Sequence, residues 1–97
     1  SAPAYLYAFI EALEAGGVAA GLDPRQSADL ARATVAGAAA LMAQGGEDPT
    51  TLRKQVTSPN GTTQAALDVL TRDGALEKLL IETVAACVKR SKELASS

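Results

Sequence analysis

The stretch "PAYLYAFIEALEAGGVAAGL", residues 3 to 22, constrains the fold more than any other. Read as a helix running to about Ala20, with Pro3 inside its first turn, it sets Leu6, Ile10 and Leu13 in one apolar row and Tyr5, Phe9 and Ala12 in another. Tyr7, Glu11 and Glu14 form the only polar stripe. A helix this apolar must be covered on most sides. A chain of 97 residues offers one core, so the pattern predicts contact with a second chain as well as with its own core. A bilayer is not the expected cover, because Glu11 and Glu14 would each cost about 3 kcal/mol near the centre of a span.

The remaining punctuation is equally helical. Gly21-Leu22 breaks the first pattern, and Asp23-Pro24-Arg25-Gln26 has the spacing of a capping box with Pro at the first helical position. The second helix carries Leu30, Thr34, Gly37 and Leu41 in register; a glycine at 37, in an interior almost bare of side chains, predicts close approach of another backbone. Gly45-Gly46 ends it, and Asp48-Pro49 starts a short third helix with Leu52 and Val56 one turn apart. A fourth, from Gly61 or Thr62 to Thr71, is expected to turn Ala66, Leu67 and Leu70 inward. Beyond Gly74 a fifth puts Leu76, Leu80, Val84, Cys87 and Leu94 on its apolar side and Lys78, Glu82, Lys89 and Glu93 on its wet one. No alternating run is long enough for a strand, so the expected fold is all-α, one domain of about five helices.

Hydrophobic residues make up 47% of the chain but aromatic ones only 3%, so the packing surfaces must be built from Ala, Leu and Val. A net charge of -2 with scattered cations leaves no basic stripe for a nucleic acid. With no His and a single Cys, Cys87, there is no basis for a metal site or an internal disulfide, and a reduced, cytoplasmic setting is expected. Cys87 itself reads as a buried, inert thiol, and Tyr5 and Tyr7 as core or interface. The abrupt start at Ser1, without a signal-peptide pattern, suggests a fragment of a longer protein.

One segment does not fit the economy of a helical chain: Thr57-Ser58-Pro59-Asn60-Gly61-Thr62-Thr63, seven small or polar residues where a cap needs one. Either Asn60 caps the fourth helix or Ser58 does, with Pro59 at the first helical position. In both cases the N–H groups of Gly61, Thr62 and Thr63 lie at a helix N-terminus without intrahelical partners, a place that attracts anions. A plain helix-to-helix loop with a good cap explains the cap but not three hydroxyls. Phosphate is disfavoured, since no Gly-Lys-Ser/Thr stands here, and Gly16-Gly17-Val18-Ala19-Ala20-Gly21 fails as a dinucleotide fingerprint. Arg53 and Lys54 could add positive potential near the loop, although solvated helix charges are commoner.

"VTSPNGTTQAAL" resembles the signature of the pyrroline-5-carboxylate reductase family, written around Thr-Ser-Pro-Gly-Gly-Thr-Thr. "SAPAYLYAFIEAL", "AGLDPRQSADLARATVAGAAALM" and "LIETVAACVKRSKEL" are similar to that family's other helices, so the resemblance covers essentially the whole chain. It implies the C-terminal dimerisation domain of the 6-phosphogluconate-dehydrogenase-like type, interleaved with a second copy, with dimers assembling into decamers in some members. The family's N-terminal Rossmann domain, which holds NADPH or NADH, lies outside the segment that it covers, and no cofactor-binding residue is expected in this chain.

The activity implied is reduction of 1-pyrroline-5-carboxylate to L-proline, the last step of proline biosynthesis, by the full-length enzyme; the isolated segment is expected to be inactive. Carried over by residue, the substrate carboxylate would lie on the N–H groups of Thr62 and Thr63 with help from the Ser58 hydroxyl, while the Thr63 hydroxyl, the catalytic contact, approaches the ring nitrogen. Gly61 leaves room for the ligand. Asn60, standing where the family signature has Gly, tolerates left-handed angles and could itself reach the ligand. Two alternatives need no catalysis: a helical module used only for self-association, and an anion-binding helical sensor.

Overall fold

The computed structural model describes residues 1–96. They form five α-helices: α1 (Ala2–Ala19), α2 (Pro24–Gly45), α3 (Pro49–Gln55), α4 (Thr62–Leu70) and α5 (Ala75–Ser96), with a turn of 3-10 helix at Arg72–Gly74. No strand occurs among the described residues, as an all-α fold requires. The helices fall into two compact units, Ser1–Pro49 and Thr50–Ser97.

In the first unit α1 and α2 pack as a pair. The connection turns on Gly21 at φ 115°, and α2 then opens on the expected capping box: the Asp23 carboxylate accepts from the N–H groups of Arg25 at 2.9 Å and Gln26 at 3.1 Å, while the Gln26 side chain accepts from the Asp23 N–H at 3.4 Å. Gly46, at φ 70°, stops the helix in the left-handed conformation. The crossing is held by Ser27, only 2% exposed, whose hydroxyl donates to the Glu14 carbonyl at 2.6 Å. The Arg32 guanidinium adds an ion pair to the Glu14 carboxylate at 3.9 Å. Glu14 therefore faces α2, although the sequence pattern groups it with the polar stripe.

The row of α2 that meets α1 is Ser27, Ala31 and Val35; Ala31 is 4% exposed, whereas Leu30 and Leu41 of the apolar register lie exposed. Small side chains let the two backbones approach, and leucines in the same row would hold them apart. The glycine at the close approach is Gly17, where an added Cβ would meet the Ser27 hydroxyl, with the Ser27 Cβ at 3.2 Å and a Leu22 methyl at 3.4 Å. Gly37 has nothing within 4 Å of that position among the described residues.

In the second unit α4 ends at Thr71, whose N–H and hydroxyl both donate to the Leu67 carbonyl, at 2.8 and 2.7 Å. Asp73 at φ 54° and Gly74 at φ 70° then break the helix with two consecutive left-handed residues. Half-buried helical positions are Leu52 on α3, Gln64 and Leu67 on α4, and Leu76, Thr83 and Cys87 on α5; Ala66 and Leu70, expected inward, stay exposed, as do Leu80, Val84 and Leu94 on the apolar side of α5 and Val56 just beyond α3. Cys87 is thus only partly covered.

These exposed side chains are too many to be incidental. Leu6, Tyr7, Phe9 and Leu13 on α1 and Leu79, Leu80, Ile81 and Val84 on α5 are among them, and an exposed apolar surface of this kind marks a site of association. No helix of the described residues is long and apolar enough to cross a membrane.

The α1–α2 crossing makes a direct prediction. Gly17→Ala gains about 1 kcal/mol of helix propensity but forces its methyl into Ser27, so urea unfolding should show a net loss of about 1 to 3 kcal/mol. Removing the Ser27 hydroxyl in the same molecule should recover part of that loss, as a non-additive double-mutant cycle.

Candidate functional site

Between α3 and α4 the chain makes one tight turn, and each residue in it has a separate task. Thr57 closes α3: its hydroxyl donates to the Arg53 carbonyl at 2.6 Å and its N–H to the Lys54 carbonyl at 3.2 Å. Ser58, Pro59, Asn60 and Gly61 then form a β-turn in which the Gly61 N–H donates to the Ser58 carbonyl at 3.0 Å. Proline presets the second position, and Asn60 at φ 62° supplies the left-handed third, the pattern of a type II turn. Asparagine is among the few residues with a side chain that accept this conformation at small cost.

The cap differs from both sequence alternatives. Neither Ser58 nor Asn60 caps α4; Gly61 does, in extended conformation at φ -88° and ψ -176°, with no side-chain hydrogen bond. Pro59 accordingly lies in the turn and not at the first helical position. The reason is geometric: an N-cap needs β-region angles, and Asn60 is committed to the left-handed region by the turn. Glycine at 61 answers to space, since a Cβ there would lie 3.2 Å from the Ser58 carbonyl oxygen. Its N–H, expected to be open, is used by the turn.

What remains is an uncapped helix start. The first N–H with an intrahelical acceptor is that of Ala65, bonded to the Gly61 carbonyl at 3.2 Å. The N–H groups of Thr62, Thr63 and Gln64 precede the helical ladder, and no turn or cap bond among the described residues engages them. Nor does any hydrogen bond among those residues use the hydroxyls of Ser58, Thr62 and Thr63 or the Asn60 amide. All four side chains are exposed and Gly61 is half-buried. The five residues singled out from the sequence thus lie on one short segment, with donors at the positive end of α4.

Arg53 and Lys54 are placed elsewhere. They lie in the last turn of α3, where cations favour the exposed carbonyls, and line a groove of about 290 Å³ with Thr57, Gln64, Leu67 and Thr71. None of Ser58 to Thr63 lines it. Gln64 is the residue that sequence reasoning passed over: half-buried, it donates from Nε2 to Asp68 at 2.7 Å. The four-residue spacing of Gln64 and Asp68 on one helix face was the available signal.

If Asn60 is present for its left-handed angle, Asn60→Gly should leave thermal stability unchanged within a few tenths of a kcal/mol. Asn60→Ala should cost about 1 to 2 kcal/mol, and equal melting temperatures for the two variants would refute this account of the turn.

Residues 1–94 match the pyrroline-5-carboxylate reductase dimerisation family. The chain is 48% identical over 94 residues to a pyrroline-5-carboxylate reductase of Glycine max, an alignment that takes in 97% of this chain and 34% of that protein. It is 45% identical over 97 residues to the enzyme of that name from Arabidopsis thaliana, with 100% of this chain and 35% of the relative covered. Against pyrroline-5-carboxylate reductase 2 of Bacillus subtilis the identity is 42% over 94 residues, or 97% of this chain and 34% of that one. The chain thus spans about a third of the length of these relatives. By this match along nearly its whole length, the chain belongs to the pyrroline-5-carboxylate reductase dimerisation family.

Proposed function

We propose that residues 1–97 serve as a single dimerisation and substrate-binding domain of a cytoplasmic pyrroline-5-carboxylate reductase, which reduces 1-pyrroline-5-carboxylate to L-proline with NADPH or NADH. The observation that carries the substrate half of this reading is the uncapped start of α4, whose Thr62 and Thr63 N–H groups have no acceptor among the described residues. A carboxylate there would complete the helix electrostatically, each charge-assisted bond contributing about 1.5 to 3 kcal/mol. The exposed Ser58 hydroxyl would add a third donor, and Asn60 and Gly61 shape the approach. The Thr63 hydroxyl is assigned to the ring nitrogen. A protonated cyclic imine is already electrophilic, so orientation is the main contribution required of these residues.

The glycine run of residues 16 to 21 does not form a dinucleotide fingerprint. Gly16 and Gly17 lie inside α1 rather than in a turn between strand and helix. The nucleotide would be held by other residues of the whole protein, and the part assigned to this chain is to hold the substrate.

The exposed apolar surface of α1 and α5 supports the other half, an interleaved homodimer as the unit from which a decamer would be built. Self-association without catalysis is the competing reading, favoured by that same surface. Thr63→Ala, placed in a full-length reductase carrying this chain, separates the two. The proposed role predicts a fall in kcat/KM of about ten- to a hundredfold, the equivalent of one hydrogen bond to a charged group. Sedimentation should be unchanged. Wild-type kinetics in an intact dimer would leave self-association alone.

A further inference from the structure

Asn60 is the single asparagine of the chain, and glycine follows it. The side-chain carbonyl carbon of an asparagine lies one five-membered ring from the amide nitrogen of the next residue. Closure of that ring is hindered chiefly by the next side chain, which glycine lacks. Here the asparagine is exposed, and no hydrogen bond among the described residues restrains its amide. The nitrogen of Gly61 is held by one bond, to the Ser58 carbonyl at 3.0 Å. A single turn bond of this kind, its donor half-buried, lowers the open population by about tenfold. That nitrogen also stands at the N-cap of α4, where the positive end of the helix favours the negative charge that ring closure develops.

We infer that Asn60–Gly61 is a self-modification site at which the loop deamidates spontaneously, exchanging a neutral amide for a carboxylate. The Gly61 nitrogen gives its proton to solvent base and attacks Cγ of Asn60. A C–N bond forms, the side-chain nitrogen leaves as ammonia with a proton from water, and a succinimide remains. Water then opens the ring at either carbonyl to give aspartate or isoaspartate at position 60. The net change is hydrolysis, with one water consumed, one ammonia released and no change in oxidation state.

The new carboxylate lies one residue before the cap, close to the N–H groups of Thr62 and Thr63, and competes there with a ligand's carboxylate. This consequence rests on the substrate reading proposed above; the modification does not. Asp73–Gly74 provides an internal comparison, with Asp73 at φ 54° and the Gly74 N–H donating to the Thr71 carbonyl at 3.1 Å. Ring closure there releases water, and the glutamines would need a six-membered ring, so early ammonia reports Asn60 alone.

The test is to age the folded chain in mildly alkaline buffer beside an unfolded peptide spanning Thr57 to Gln64, following ammonia and the mass of the fragment that contains residue 60. Aspartate and isoaspartate should appear in the folded chain at a rate within about tenfold of the peptide's, and ammonia should be absent from Asn60→Gly. An intact Asn60 after the peptide has fully converted would overturn the inference. Separately, Asn60→Asp in a full-length reductase carrying this chain should raise KM for 1-pyrroline-5-carboxylate more than it lowers kcat. An unchanged KM would remove the carboxylate reading of the loop and leave the modification standing.

Discussion

Apolar surface that its own fold leaves uncovered is the condition on which this molecule rests. Burial of apolar area contributes about 25 cal/mol per Å², yet among the described residues only Ala31 and Ser27 are buried, and one of those is polar. Helices α1 and α5 keep large aliphatic side chains on their outer faces, including Leu6, Leu13, Ile81 and Val84. A chain with so little core of its own is marginal by itself, and association supplies what its interior lacks. Membership of a dimerisation family gives this surface its natural occupant, a second copy.

Within each unit, small residues do the positioning. At the crossing of α1 and α2 the contact is made by Gly17, Ser27 and Ala31, with the serine hydroxyl donating across to the Glu14 carbonyl. Small side chains bring the two backbones together and leave the leucines pointing away. In the second unit the β-turn at 58–61 works in the same way: Gly61 clears the Ser58 carbonyl, Asn60 takes the left-handed angle, and α4 begins with its first donors unengaged. The capping box of α2 and the bonds of the Gly21 and Leu22 N–H groups to the Val18 and Gly17 carbonyls at the end of α1 satisfy those helix termini; this one leaves its terminus open.

How much of this was legible beforehand follows from the range of the interactions. Asp23-Pro24-Arg25-Gln26, Gly45-Gly46 and Asp48-Pro49 act within one turn of chain, and each marks a helix end that the structure contains. The inward face of α2 was not legible, because periodicity finds the apolar row and cannot distinguish its own chain from another as the cover. The register Leu30, Thr34, Gly37 and Leu41 stays exposed, while the contact with α1 falls to Ser27 and Ala31 and its close approach to Gly17. The polar loop lies between these cases. Its residue types pointed to an open helix start, but the choice among Ser58, Asn60 and Gly61 as cap depended on which residue the turn would bend, and that is decided by hydrogen bonding across four residues.

Helix α5 runs 22 residues without an internal glycine or proline, a rod of about 33 Å. Each residue advances the rod by about 100° of rotation, so losing or gaining one would swing every side chain beyond that point to a different side. Substitution along α5 is therefore far easier to accommodate than a change of length. The linkers at Gly46–Asp48 and around Asp73 are where lineages could add or drop residues while the long rod keeps its count.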